Sequence, residues 1–177
     1  MRKIFLIGYM GAGKTTIGKQ LASAFGLQFI DLDLFIENRY HKKVSELFAE
    51  KGENGFREIE KKALHEVSEF EDVVISTGGG TPCFFDNMQV MNAIGQTVYL
   101  KIPPEELAAR LIKNSHKGSR PLLNNKTDEE IKQYVRDNLA LRELFYNQST
   151  EIFEAGNLEL ADTFALLVKK LTLIFAK

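Results

Sequence analysis

Apolar positions along this chain alternate between two spacings, short unbroken runs and stretches with three- and four-residue gaps. Ile4-Phe-Leu-Ile7 is an unbroken run, which predicts a strand buried on both faces of a parallel sheet. Ile17, Leu21, Ala24 and Phe25 follow at helical spacing, and Gly26 supplies a stop. Leu27–Ile30 predicts the second strand, Val73–Ile75 the third, Thr97–Ile102 the fourth and Ile152–Ala155 a short fifth. Helical patterns fill the intervals: one with Leu34, Ile36 and Glu37, then Val44 to Lys51 stopped by Gly52. Next come Phe56 to about Phe70, with Ile59, Ala63, Leu64 and Val67 on one face, and Asn87 to Ile94 ending at Gly95. Pro104 suits the first turn of a helix carrying Leu107, Leu111 and Ile112. Thr127-Asp-Glu-Glu130 is a capping box that opens a helix to about Tyr146. Phe164, Leu167, Leu171, Ile174 and Phe175 mark the docked face of a last amphipathic helix. Strands and helices in alternation predict an α/β fold of three layers, α/β/α, with a five-stranded parallel sheet and its site at the strands' C-terminal ends.

Composition narrows the picture without changing it. The length of 177 residues suits a single domain spanning 1–177 with a sizeable core. A net charge of −1 gives no electrostatic case for nucleic acid or a membrane surface. Cys83 stands alone, which excludes an internal disulfide or a Cys-rich metal site, and His41, His65 and His116 have no ligand spacing. Met1-Arg-Lys runs straight into the first strand, leaving no room for a signal peptide. No apolar run approaches the roughly 20 residues that span a bilayer. The expectation is a soluble, cytoplasmic monomer.

The chemistry begins at Gly8-Tyr-Met-Gly-Ala-Gly-Lys-Thr15, a match to G-x-x-x-x-G-K-[ST] at every defined position. It lies between a predicted strand and a predicted helix, as a phosphate-binding loop requires. Glycines 8, 11 and 13 free the backbone so that N–H groups converge on a phosphate at the helix N-terminus. Gly11, Ala12, Gly13, Lys14, Thr15 and Thr16 are therefore the nucleotide-binding candidates. Lys14 would reach the β- and γ-phosphates and the Thr15 hydroxyl would ligate Mg²⁺. ATP and Mg²⁺ follow as cofactors.

Five further features compete with plainer readings. Asp31 and Asp33, alternate residues at the end of the second strand, can both face the site, one orienting a metal and the other taking a hydroxyl proton. Asp33 could equally be the N-cap before Leu34. Arg57 suits a planar carboxylate, or is a solvated helix arginine paired with Glu60. Gly78-Gly-Gly80 directly after a strand exposes N–H groups and permits close approach of a ligand. The polar segment 114–125 is a candidate mobile lid carrying Arg120, whose charge would act on the transferring phosphoryl group. Arg142, on the late helix, is either a second carboxylate clamp or a surface charge.

Taken together and in order along nearly the whole chain, these motifs resemble the shikimate kinases, within the P-loop kinases of nucleoside monophosphate kinase-like fold. The resemblance rests on Gly8–Thr15, Asp31-x-Asp33, Phe56-Arg57 with Glu60, Gly78–Gly80, Arg120-Pro-Leu-Leu and Arg142-x-x-x-Tyr146. It implies transfer of the ATP γ-phosphate to the 3-hydroxyl of shikimate, in aromatic amino-acid biosynthesis. By motif match Asp33, Lys14 and Arg120 would be catalytic. Asp33, Arg57, Arg142, Gly79 and Gly80 would hold shikimate, with Phe48 and Phe56 as walls, in a substrate-binding segment of about 33–61. Thr15 and Asp31 would serve the metal, and Arg110 and Arg120 the nucleotide. The chain departs from the family pattern in four places: Leu32 replaces a threonine, Leu144 a proline, Thr150 an alanine, and Glu154-Ala-Gly156 a Val-Asp-Thr. A gluconate or nucleoside monophosphate kinase is the rival enzyme. A non-catalytic, ligand-sensing relative is the rival of another class, although Lys14, Asp33 and Arg120 are all retained.

Overall fold

The computed structural model describes residues 2–115 and 126–176. Its centre is the first apolar run: Ile4, Phe5, Leu6 and Ile7 are wholly buried. Strand β1 (Lys3–Ile7) pairs in parallel with β3 (Val73–Ser76) on one side and β4 (Gln96–Lys101) on the other. β2 (Gln28–Asp31) lies outside β3 and β5 (Glu151–Glu154) outside β4, giving the order β2-β3-β1-β4-β5. Parallel neighbours need long crossovers, and helices supply them. α1 (Lys14–Phe25) leads from β1 to β2; α2 (Leu32–Tyr40) and α3 (Val44–Ser68) lead on to β3. α4 (Asn87–Ile94) joins β3 to β4, α5 (Pro104–Ser115) and α6 (Asp128–Tyr146) precede β5, and α7 (Leu160–Phe175) closes the chain. The β1-to-β2 and β3-to-β4 crossovers run in opposite directions across the sheet, so right-handed connections put α1 and α4 on opposite faces. The expected five-stranded, three-layer arrangement is present.

Element edges differ from the sequence reading by one or two residues, for local reasons. Leu27 is not in β2 because it belongs to the end of α1: Gly26 is left-handed (φ 67°) and the Leu27 N–H bonds to Ala22 O at 2.8 Å, the paired closure of a helix terminus. Gly52 (φ 68°) breaks α3 into the two helical segments that the glycine signal predicted. Thr127 and Glu130 exchange the two bonds of the capping box.

The departures from the family pattern have structural reasons. Leu32 is wholly buried, so its side chain serves the core. Leu144 is exposed in an α6 that runs unbroken to Tyr146. Thr150 splices β5 to β4: its hydroxyl accepts from Thr97 N (3.0 Å) and donates to Thr97 O (3.0 Å). A Cβ on Gly156 would lie 2.4 Å from Pro103 Cδ, which leaves no room for a side chain there.

Candidate active site

All five parallel strands end at one edge of the sheet, and the loops beyond β1, β2 and β3 converge there. The phosphate loop follows β1. Gly11 and Gly13 have φ of 84° and 90°, the left-handed region where a side chain is strained. Gly13 immediately precedes α1, so the loop's N–H groups face the positive end of that helix. Lys14 is 9% exposed and folds back over the loop, donating to Gly8 O (2.8 Å) and Tyr9 O (3.0 Å). Thr15 and Thr16 are exposed at the start of α1. The Thr15 hydroxyl donates to Asp31 Oδ2 at 2.8 Å.

β2 ends at Asp31, and here the structure corrects the sequence reading. Asp33 is not at a strand end and is not the N-cap. Asp31 takes the N-cap role, its Oδ1 accepting from Leu34 N at 3.3 Å, and Asp33 sits in the first turn of α2. It still reaches the site by the helix rather than by strand alternation. Burial pushes the Asp33 carboxyl up to about 6; the negative charges of Glu60 and Asp31 add to this, and Lys14 opposes it. A carboxylate poised this close to neutrality suits a proton acceptor.

The turn after β3 brings the remaining groups together. Arg57 is 7% exposed, not a solvated helix arginine. Its Nη1 donates to Glu60 Oε2 at 2.9 Å and its Nη2 to Glu53 Oε1 at 3.4 Å. Three phenylalanine rings box the guanidinium, with centroids at 4.1 Å for Phe84, 5.3 Å for Phe48 and 5.5 Å for Phe56. Phe48 and Phe56 are themselves stacked, 4.2 Å apart. Beside this box is an open pocket of about 470 Å³, lined by Asn54, Gly55, Arg57, Glu58, Phe84 and Phe85. Among the described residues the buried Arg57 Nε has no acceptor. Glu60 is 1% exposed and also accepts from the Thr81 hydroxyl at 2.6 Å.

The triple glycine is explained by these neighbours. A Cβ on Gly80 would stand 2.6 Å from both terminal nitrogens of Arg57. One on Gly79 would stand 3.1 Å from Arg142 Nη1. One on Gly78 would meet Glu60 Oε1 at 2.9 Å and Asp33 Oδ1 at 3.0 Å. The turn is bare because an arginine or a carboxylate lies over each of its residues.

Arg142 extends from α6 to the same turn. It is half-buried, over the Tyr9 ring with 5.1 Å to the centroid, and close to the Tyr146 hydroxyl, which itself donates to Gly79 O. Among the described residues it makes no ion pair, in contrast to Arg57. A plain surface charge is therefore excluded. Arg110 lies beside the phosphate loop, donating to Glu106 Oε1 (2.6 Å) and to Gly11 O (3.3 Å). Burial raises the Cys83 thiol to about 11, so it stays protonated. Arg120 and residues 116–125 of the expected lid lie outside the described residues.

The geometry unites Lys14, Thr15, Asp31, Asp33, Arg57, Gly79, Gly80, Phe48, Phe56 and Arg142. Sequence reasoning did not name Tyr9 or Phe84. Tyr9 occupies an unspecified position of the loop pattern, so spacing gives no signal; Phe84 could have been suspected from its closeness to the triple glycine. Asp31 and Thr15 offer hard oxygen donors 2.8 Å apart, the chemistry Mg²⁺ prefers. Among the described residues no group of three His, Cys, Asp or Glu could hold a metal alone. The rest of the coordination shell would come from phosphates and water.

The family model for shikimate kinase matches residues 10–172. A shikimate kinase from Parabacteroides distasonis is 58% identical over 155 residues, covering 88% of each chain. The crystal structure of a shikimate kinase from Bacteroides thetaiotaomicron superposes with a TM-score of 0.91 at 48% identity, covering 97% of this chain and 98% of that one. A shikimate kinase from Acinetobacter baumannii, solved in complex with shikimate, gives 0.86 at 34% identity, covering 99% and 94%.

Proposed function

The chain belongs to the shikimate kinase family, and we propose a division of labour among its site residues for passing the γ-phosphate of ATP to the 3-hydroxyl of shikimate. That it is an ATP-dependent kinase acting on shikimate follows from the family. The residue roles are our reading, and one observation supports them above the others: two arginines of unequal charge balance meet at a turn stripped of side chains. Arg57 is already countered by Glu60 at 2.9 Å, whereas Arg142 has no carboxylate partner among the described residues. Arg142 therefore supplies the net positive charge for the shikimate carboxylate, and Arg57 adds hydrogen-bond donors and a fixed planar edge. The N–H groups of Gly79 and Gly80 line the pocket floor, with Phe48 and Phe56 as walls.

Asp33 stands at the phosphate end of this pocket and orients the acceptor hydroxyl. The hydroxyl oxygen bonds to the γ-phosphorus as the bond to the β-bridging oxygen breaks, ADP leaves, and the proton passes to Asp33. Lys14 would leave the carbonyls of Gly8 and Tyr9 for the phosphates. Thr15 and Asp31 would hold Mg²⁺, which when bound neutralises phosphate charge. Arg110 would face the base of the nucleotide and Arg120 would contribute from the lid segment. Since every one of these groups comes from a single chain, we propose that the protein works as a monomer. We place it in the cytoplasm, where MgATP is supplied. Among the described residues no helix is long and apolar enough to cross a membrane.

The test is coupled ADP release with shikimate, gluconate and nucleoside monophosphates offered in turn. Turnover is expected with shikimate alone. Arg57→Ala and Arg142→Ala should each raise the shikimate KM roughly 10- to 100-fold, the range for charge-assisted hydrogen bonds, with the ATP KM little changed. An unchanged shikimate KM in either variant removes that arginine from the clamp.

A further inference from the structure

Tyr9 belongs to the nucleotide loop by sequence, yet its side chain serves the other substrate's pocket. It is 1% exposed, and its ring lies against the guanidinium of Arg142, 5.1 Å from ring centre to Cζ. Its backbone carbonyl meanwhile accepts from the Lys14 ammonium at 3.0 Å and from Ala12 N at 3.2 Å. The same loop touches the triple-glycine turn, since a Cβ on Gly79 would lie 3.5 Å from Met10 N and 3.6 Å from Gly8 O. The phosphate loop, the substrate turn and Arg142 thus meet around one aromatic ring.

Among the described residues the hydroxyl of Tyr9 finds no bond that would explain the residue. It is buried without a hydrogen-bond partner among the described residues, and burial pushes its pKa up to about 12, so it is neutral. A buried hydroxyl with no partner is a cost, which leaves the ring face as the useful part. Among the described residues Arg142 lacks a carboxylate such as holds Arg57 in place, so other contacts set its guanidinium plane. Those on hand include the Tyr146 hydroxyl and the Tyr9 ring, over which its Cζ lies.

We infer that Tyr9 is a positioning residue for the shikimate carboxylate clamp: its ring holds the Arg142 guanidinium in the plane that receives the carboxylate. The inference rests on the clamp reading of Arg142. A partly desolvated cation–π contact is worth enough to change an affinity by roughly 5- to 30-fold. Removing the π face should therefore cost shikimate binding, although Tyr9 sits in the loop that binds ATP.

The experiment is a double-mutant cycle read in steady-state kinetics. Tyr9→Leu should raise the shikimate KM about tenfold while kcat and the ATP KM stay within about threefold. Tyr9→Phe, which keeps the ring and discards the orphan hydroxyl, should match the wild type. In an Arg142→Ala background Tyr9→Leu should add nothing further. Tyr9→Met fills a similar volume without a π face and is expected to behave as Tyr9→Leu, so it serves if the leucine variant does not fold. Equal rises in the ATP and shikimate KM, or a full additive effect in the Arg142→Ala background, would overturn the inference. If Arg142→Ala itself leaves the shikimate KM unchanged, it is the clamp reading that fails. If Arg142→Ala raises it and neither Tyr9→Leu nor Tyr9→Met does, the Tyr9 inference alone fails.

Discussion

Replacing Asp33 by Asn should make the protein more stable and inactive at once. The Asp33 carboxyl titrates near 3.8 in an unfolded chain and is raised to about 6 in the folded one, by burial first and then by Glu60 and Asp31. Below about pH 4 it is protonated in both states and has no effect on folding. Above the folded value it is charged in both, and the folded state bears the full cost of holding that charge. Two pKa units at about 1.4 kcal/mol each give about 3 kcal/mol of destabilisation at neutral pH. The asparagine variant escapes this, and for a chain of this size the gain corresponds to roughly 6–12 °C in Tm. About half of the effect is gone by pH 5, because ionisation of the folded carboxyl has been avoided there. The assay is thermal unfolding of wild type and Asp33→Asn without nucleotide and with EDTA, at pH 5 and pH 8. Any packing change from the new amide is common to both, so the difference between them isolates the charge. A variant no more stable than wild type at pH 8, or one whose gain is the same at both, would refute the reasoning. The same variant should lose turnover while still binding ATP.

The shared environment of Glu60 and Asp33 gives a second handle on this charge. Glu60→Gln removes a repulsion and should move the acid limb of kcat/KM to lower pH; an unmoved limb would show that Glu60 does not act on Asp33. Gly80→Ala puts a methyl 2.6 Å from the terminal nitrogens of Arg57, in a box of three rings that cannot yield easily. The shikimate KM should rise at least tenfold, as expected when a charge-assisted bond is displaced, with the ATP KM constant, and a normal shikimate KM would mean that the guanidinium has room to move.

The sheet was legible because β1, β3 and β4 carry short apolar runs at Ile4–Ile7, Val73–Ile75 and Val98–Leu100, with Gly26 and Gly95 ending the helices before β2 and β4, signals that depend on the local sequence alone. The phosphate loop was legible for the same reason. Asp33 was found but misplaced, since its position turns on which of two aspartates caps α2, a choice made by the Asp31–Leu34 bond and the Thr15 hydroxyl together. The reason for three glycines could not be read from the chain. It lies in Arg57, Glu60, Asp33 and Arg142, which come from α2, α3 and α6 and have no fixed spacing from Gly78–Gly80. Tyr9 was hidden for a further reason: the loop pattern leaves its position open, and its partner Arg142 is 133 residues away (142 minus 9).

The central place of β1 has a consequence for how the chain is made. Residues 3–7 emerge well before their partners, residues 73–76 and 96–99. During synthesis Ile4–Ile7, the most apolar stretch of the future sheet, must wait unpaired until some seventy more residues have left the ribosome, and some ninety before both of its sides are covered. Parallel pairing over such separations is slow, and waiting strands are exposed to aggregation. Phosphate loop and sheet centre are one continuous segment, so a nascent chain cannot order its nucleotide loop before β3 and β4 arrive to clasp the strand that anchors it. Slowing translation within residues 8–72 should therefore lower the soluble yield more than slowing it after residue 101.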